Sequence, residues 1–173
     1  AKTMNKSDLL FLLDYSAWAN QKLSKAAAQL NSQQFSMPYA TTYGSLRGIM
    51  VHMLVSHQVW LGRCRDGRTP TALPTHGQFP DFASFEKSLQ AEQSAWHCYV
   101  ETLSDQDLQR GISYTTSRGE TFNHPLWQIV VHLVNHTTSH RSEAAELLTQ
   151  ESLVDLGEAA PMYTQIATEI AAQ

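Results

Sequence analysis

The chain has 173 residues, of which 42% are hydrophobic and 16% charged, with a net charge of −4. That length supports one domain with a sizeable core, and the composition is that of a globular chain, not a disordered one. The acidic balance excludes nucleic-acid binding carried by bulk charge, because phosphate recognition needs a basic face.

In chain order, apolar residues recur at helical spacing from about Ser7 to Leu30, through Leu9, Leu10, Leu13, Tyr15, Trp18, Leu23 and Ala27, with Ser7 as the expected N-cap. A second amphipathic stretch runs from about Ser45 to Arg65 and is closed by Asp66-Gly67. Gly67 to Pro80 holds three of the six prolines and reads as a loop. A third helix is expected from Asp81 or Ser84 to about Leu103. Ile112 to Phe122 places β-branched and aromatic residues on either side of Ser117-Arg118-Gly119, which predicts a short hairpin or extended loop. The fourth long helix is expected to open at Pro125, a residue favoured in the first turn, and to run to about Leu148. A shorter helix follows Pro161 with Met162, Ile166 and Ile170. Four long helices without a strong strand pattern give an all-α fold, a helical bundle, with residues 1–173 as a single domain.

Cys64 and Cys98 are the two cysteines and form no Cys-x-x-Cys pair, which favours a reduced, cytoplasmic setting. The first residues show no apolar signal core, and no run approaches the ~18 apolar residues of a spanning helix. The basic cluster Arg63, Arg65 and Arg68 reads as a solvated helix end, where cations are favoured by the helix dipole.

The chemistry concentrates in His132-Leu-Val-Asn135-His136-Thr-Thr-Ser139-His140-Arg141. Imidazole is the commonest side-chain metal ligand, and residues four apart on a helix stand about 6 Å from each other. His132 and His140 are about 12 Å apart along the helix axis, so one ion is better served by His136 and His140. His132 then lies outside the coordination sphere. A third ligand must come from another helix, and the second stretch offers His52 and His57. Helical projection puts His57 in the middle of the Leu46/Met50/Met53/Trp60 stripe and His52 on the other side with Val55 and Val59. Periodicity therefore slightly prefers His57. His76, His97 and His124 read as ordinary loop, surface or helix-start residues.

Three separated motifs resemble the DinB family of DinB/YfiT-like metalloenzymes. They are Tyr15-Ser-Ala-Trp18-Ala19-Asn20, Ser45 to Leu61 with Gly48, His52, His57 and Trp60, and Asn135-His136-Thr-Thr-Ser-His140-Arg141 preceded by Pro125-Leu126-Trp127. The resemblance covers about residues 7–150. It implies a four-helix bundle with an up-down-down-up path, often a homodimer, and a divalent metal held by His52, His136 and His140. Many relatives carry an acidic residue where this chain has His57, so the substrate does not carry over.

Three imidazoles leave positions open on the ion, which suits catalysis more than a structural role. The expectation is a metal-dependent transferase or hydrolase of small molecules, with a low-molecular-weight thiol among the candidate substrates. Zn is the first choice of metal, with Ni, Fe or Cu as alternatives. Asn135, Arg141 and His57 are candidate helpers, and Glu143 a candidate residue behind the ligands. The absence of a His-Glu-x-x-His pattern argues against a peptidase. The alternatives are a non-catalytic metal-binding stress-response bundle and a helical interaction module with incidental histidines.

Overall fold

The computed structural model describes residues 4–150. The expected helix after Pro161 lies outside the described residues. Within them the chain forms α1 (Lys6–Ala27), α2 (Ser32–Ser36), α3 (Leu46–Arg65), α4 (Phe82–Glu101), β1 (Gly111–Thr115), β2 (Thr121–Pro125) and α5 (Leu126–Gln150). The two strands pair antiparallel, with Gly111 opposite Pro125 and Thr115 opposite Thr121, so the expected hairpin is formed. None of the described helices is long and apolar enough to cross a membrane.

The helix starts follow from local side-chain chemistry. Asn5, not Ser7, caps α1: its side chain accepts from the Asp8 backbone, and Asp8 accepts from the Asn5 backbone. This reciprocal box satisfies two donors at once, which a cap at Ser7 does not. Ser45 caps α3 by accepting from the Gly48 N–H at 3.0 Å, and Asp81 caps α4 by accepting from the Ser84 N–H at 2.9 Å. Pro125 closes β2 instead of opening α5. Its ring φ is also compatible with a strand end, and the sheet takes it there. The short α2 was not expected from periodicity, since its five residues are too few to show one; an Asn31/Gln34 box holds it. A single 3-10 turn at His76–Gln78 interrupts the proline-rich loop.

The long helices pack in a cycle, α1 against α4 and α5, and α3 against α4 and α5. The core falls into two apolar clusters. One contains Leu23, Ile49, Met53, Phe85, Leu89, Ala144 and Leu148. The other contains Leu9, Leu13, Leu61, Trp96, Val100, Val130 and Leu133. On every long helix, polar residues stand between the two: Ser16 and Asn20 on α1, His57 on α3, Gln93 on α4, Thr137 and Arg141 on α5. Hydrogen bonds run round the cycle at this level. Asn20 Nδ2 donates to Gln93 Oε1 at 2.8 Å, and Arg141 Nη1 donates to Asn20 Oδ1 at 3.0 Å. His57 Nε2 meets Thr137 Oγ1 at 2.9 Å, and Trp96 Nε1 donates to the His57 carbonyl at 3.1 Å. These bonds offset the cost of burying the groups they join.

Candidate metal centre

Three histidines converge where α3 faces α5. His52 Nε2 stands 3.1 Å from His136 Nε2. One ring nitrogen from each of His52, His136 and His140 lies within 4.8 Å of the others, and no other such trio of His, Cys or acidic side chains occurs among the described residues. The rings of His136 and His140 are 4.5 Å apart, as their spacing of one helical turn dictates. His52 stands 4.7 Å from His140, edge to face. All three are half-buried.

The donor set fits a divalent ion. Two imidazole nitrogens bound to one ion at about 2.1 Å each are roughly 3.0 to 3.4 Å apart for angles between right and tetrahedral. The 3.1 Å between His52 and His136 lies in that interval. Ligand imidazoles must be neutral, and the surroundings favour that form. Burial, then the neighbouring His140, His52 and His132, pushes His136 down to about 4. Burial and His140 also lower His52, against a smaller opposing pull from Glu143.

Positioning groups surround the trio. His140 Nδ1 is 3.1 Å from Glu143 Oε2, one turn further along α5. A carboxylate oxygen accepts, so this contact favours the tautomer that carries its proton on Nδ1 and leaves the Nε2 lone pair for the cluster. Tyr43 stacks on the His52 ring at 4.2 Å and 18° and meets His140 edge-on at 5.3 Å. It reaches them because Gly48 has no side chain: a Cβ there would collide with the Tyr43 carbonyl oxygen. Burial and Glu143 raise the Tyr43 hydroxyl above its ordinary value, so it stays protonated at neutral pH.

His57 has a different place. It is 4% exposed, bound to Thr137, and pushed down to about 4 by burial and by His136. The projection was right that it points inward, but inward on α3 leads to the polar level between the two apolar clusters, against Thr137, and the histidine cluster lies at the flank. His132 is exposed and outside the trio, its ring 6.0 Å from that of His136. Among the expected helpers, Arg141 turns away from the cluster to Asn20 and Thr138, and Asn135 is exposed. Glu143 does stand behind a histidine of the trio. Tyr43 was not anticipated, because nothing in a turn before a helix cap announces a stack on a residue nine positions on. Its one trace in the sequence is Gly48, a glycine inside a helix.

Arg63 also departs from expectation. It is half-buried, with its guanidinium 4.9 Å from the Trp60 ring and 5.0 Å from the Tyr114 ring. Arg65 and Arg68 are exposed, as a helix end requires. Both cysteines are free; Cys64 is buried, and burial pushes its thiol up to about 12, which keeps it inert as a nucleophile.

Comparison with known proteins agrees with the fold. A DinB-like protein from Bacillus cereus ATCC 10987, known from its crystal structure, superposes with a TM-score of 0.65 at 16% identity, over 84% of this chain and 93% of that one. At that identity the likeness speaks for the fold alone. None of the curated proteins matches the sequence. The DinB family profile matches residues 4–170, nearly the whole length. With the Tyr15 to Asn20, Ser45 to Leu61 and Asn135 to Arg141 motifs placed on α1, α3 and α5 of such a fold, the chain belongs to the DinB family.

Proposed function

We propose that this protein is a divalent-metal-dependent enzyme acting on small molecules, with His52, His136 and His140 as the metal ligands. The observation that carries the reading is the convergence of three ring nitrogens within 4.8 Å, two of them 3.1 Å apart. Zn is the first candidate, with Ni and Fe as alternatives. A +2 ion held by neutral imidazoles keeps its full charge and so favours ionisation of a water or thiol brought to it. The chain's own residues hold the site: Glu143 fixes the tautomer and orientation of His140, and Tyr43 shields one face of His52. Transfer to or from a low-molecular-weight thiol and hydrolysis are the two reaction classes that follow. The packing cycle of the long helices is read as a four-helix bundle with an up-down-down-up path. A cytoplasmic homodimer without nucleic-acid or membrane partners completes the proposal.

The test is metal analysis of protein purified at neutral pH, wild type beside His136→Ala, followed by thiol-transfer and hydrolysis assays on the metal-loaded protein. Stoichiometric metal in the wild type, lost in the variant, is expected. Absence of any bound divalent ion sinks the reading. Tight binding with no turnover across the panel leaves the second reading, a metal-binding bundle without catalysis.

A further inference from the structure

A cavity opens beside the histidine cluster. It measures about 270 Å³ and is lined by Trp60, Tyr114, His124, Gln128, Ile129 and His132. An apolar cavity of about 150 Å³ suffices for benzene, so this one has room for a ring and a substituent. Its walls are aromatic and set at right angles. Trp60 meets Tyr114 at 81° with 4.8 Å between centroids, and meets His132 at 75° and 5.7 Å. A planar ring placed in such a corner stacks on one wall and meets the other edge-on, the two arrangements that aromatic quadrupoles favour.

The polar groups select charge. Tyr114 Oη lies 3.2 Å from His124 Nδ1. With the phenol donating to Nδ1, the ring proton of His124 sits on Nε2, a donor. Gln128 adds an amide and His132 an imidazole. None of the described residues that line the cavity is acidic, and the Arg63 guanidinium lies against both Trp60 and Tyr114. Arg63 already takes a cation's place on both rings and its charge repels a second one, whereas an anion finds donors and a positive field. The cavity also borders the cluster, because His132 lines it while its ring stands 6.0 Å from that of His136.

We propose that this cavity is a binding site for a small aromatic anion: a single ring against Trp60 and Tyr114, its acidic group toward Gln128 and His132. That the ligand is part of a substrate rests on the metal-dependent reading above; that the cavity binds it does not. The test is calorimetric titration of benzoate, cyclohexanecarboxylate and benzylamine into the protein. Saturable benzoate binding is expected, with the non-aromatic acid and the amine each about tenfold weaker or more. Trp60→Leu and Tyr114→Leu, each checked for native helix content, should weaken benzoate by about tenfold. Repeating the titration on metal-depleted His136→Ala protein separates this site from direct ligation of an ion, and benzoate binding should persist there. No saturable binding to the wild type, equal binding of cyclohexanecarboxylate, binding lost in His136→Ala, or affinity unchanged in both leucine variants would each overturn the proposal.

Discussion

His57 couples stability to pH, and the size of the effect follows from its burial. Its imidazole would have a pKa of 6.5 in the unfolded chain and is pushed down to about 4 in the fold. As pH falls, the unfolded chain takes up the proton first. The contribution of neutral His57 is therefore full above about pH 6.5, erodes between that value and about 4, and is exhausted below. Each unit of pKa separation is worth about 1.4 kcal/mol. Between pH 7 and pH 4.5 the loss amounts to about 2 kcal/mol, a large share of the 5–15 kcal/mol typical of a domain. His57→Gln replaces the titrating ring with an amide that can still reach for Thr137. Urea unfolding of wild type and variant at both pH values, with chelator present throughout, gives four free energies. The difference of differences isolates His57, because His136, lowered in the same direction, titrates in both proteins. The wild type is expected to lose about 2 kcal/mol more than His57→Gln on acidification. An equal loss in both proteins refutes the reasoning, whatever the variant does to stability at pH 7.

Other predictions concern the groups around the site. Glu143→Gln removes the carboxylate that orients His140 and should weaken metal affinity by about 10- to 100-fold, read by competition with a chromophoric chelator; unchanged affinity would show that the 3.1 Å contact has no role. Gly48→Ala drives a methyl group into the Tyr43 carbonyl and should destabilise the fold by about 1–3 kcal/mol in urea titration. It should also displace the Tyr43 ring from His52, visible as a changed imidazole chemical shift; a neutral substitution would mean that the turn before α3 yields freely. Asn20→Ala strips the buried Arg141 guanidinium of one acceptor and is expected to cost about 2–4 kcal/mol. A loss below about 0.5 kcal/mol, the range of ordinary surface changes, would contradict that role.

The long helices were legible because each repeats apolar residues over five or more turns, and the hairpin because Ser117-Arg118-Gly119 interrupts two short β-branched runs. His136 and His140 were legible as a pair because helical spacing alone puts them side by side. The choice between His52 and His57 was not open to projection, for a physical reason. A hydrophobic stripe marks what is most buried, whereas a site that must admit a ligand sits at the half-buried margin between two helices. His57 satisfied the stripe and went into the core; His52 missed it and met His136. Resemblance to a family, carried by the residues around His52, pointed to the histidine that the fold brings beside His136 and His140. The Trp60–Tyr114–His132 cavity had no sequence trace, because it joins a helix to a hairpin residue about fifty positions away.

The belt of polar side chains across the middle of the four long helices has a consequence beyond its hydrogen bonds. Apolar layers alone tolerate sliding, since leucine against leucine looks much the same one turn up or down. A slide of α5 along α3 by one turn, about 5.4 Å, would set Leu133 or Arg141 opposite His57 in place of Thr137. One offers the imidazole no partner, and the other offers it a buried cation. Replacing such a belt with well-packed apolar residues often leaves a protein as stable or more so. What the belt supplies is vertical alignment: it gives the helices one register, and two histidines on different helices can face each other at 3.1 Å only in that register.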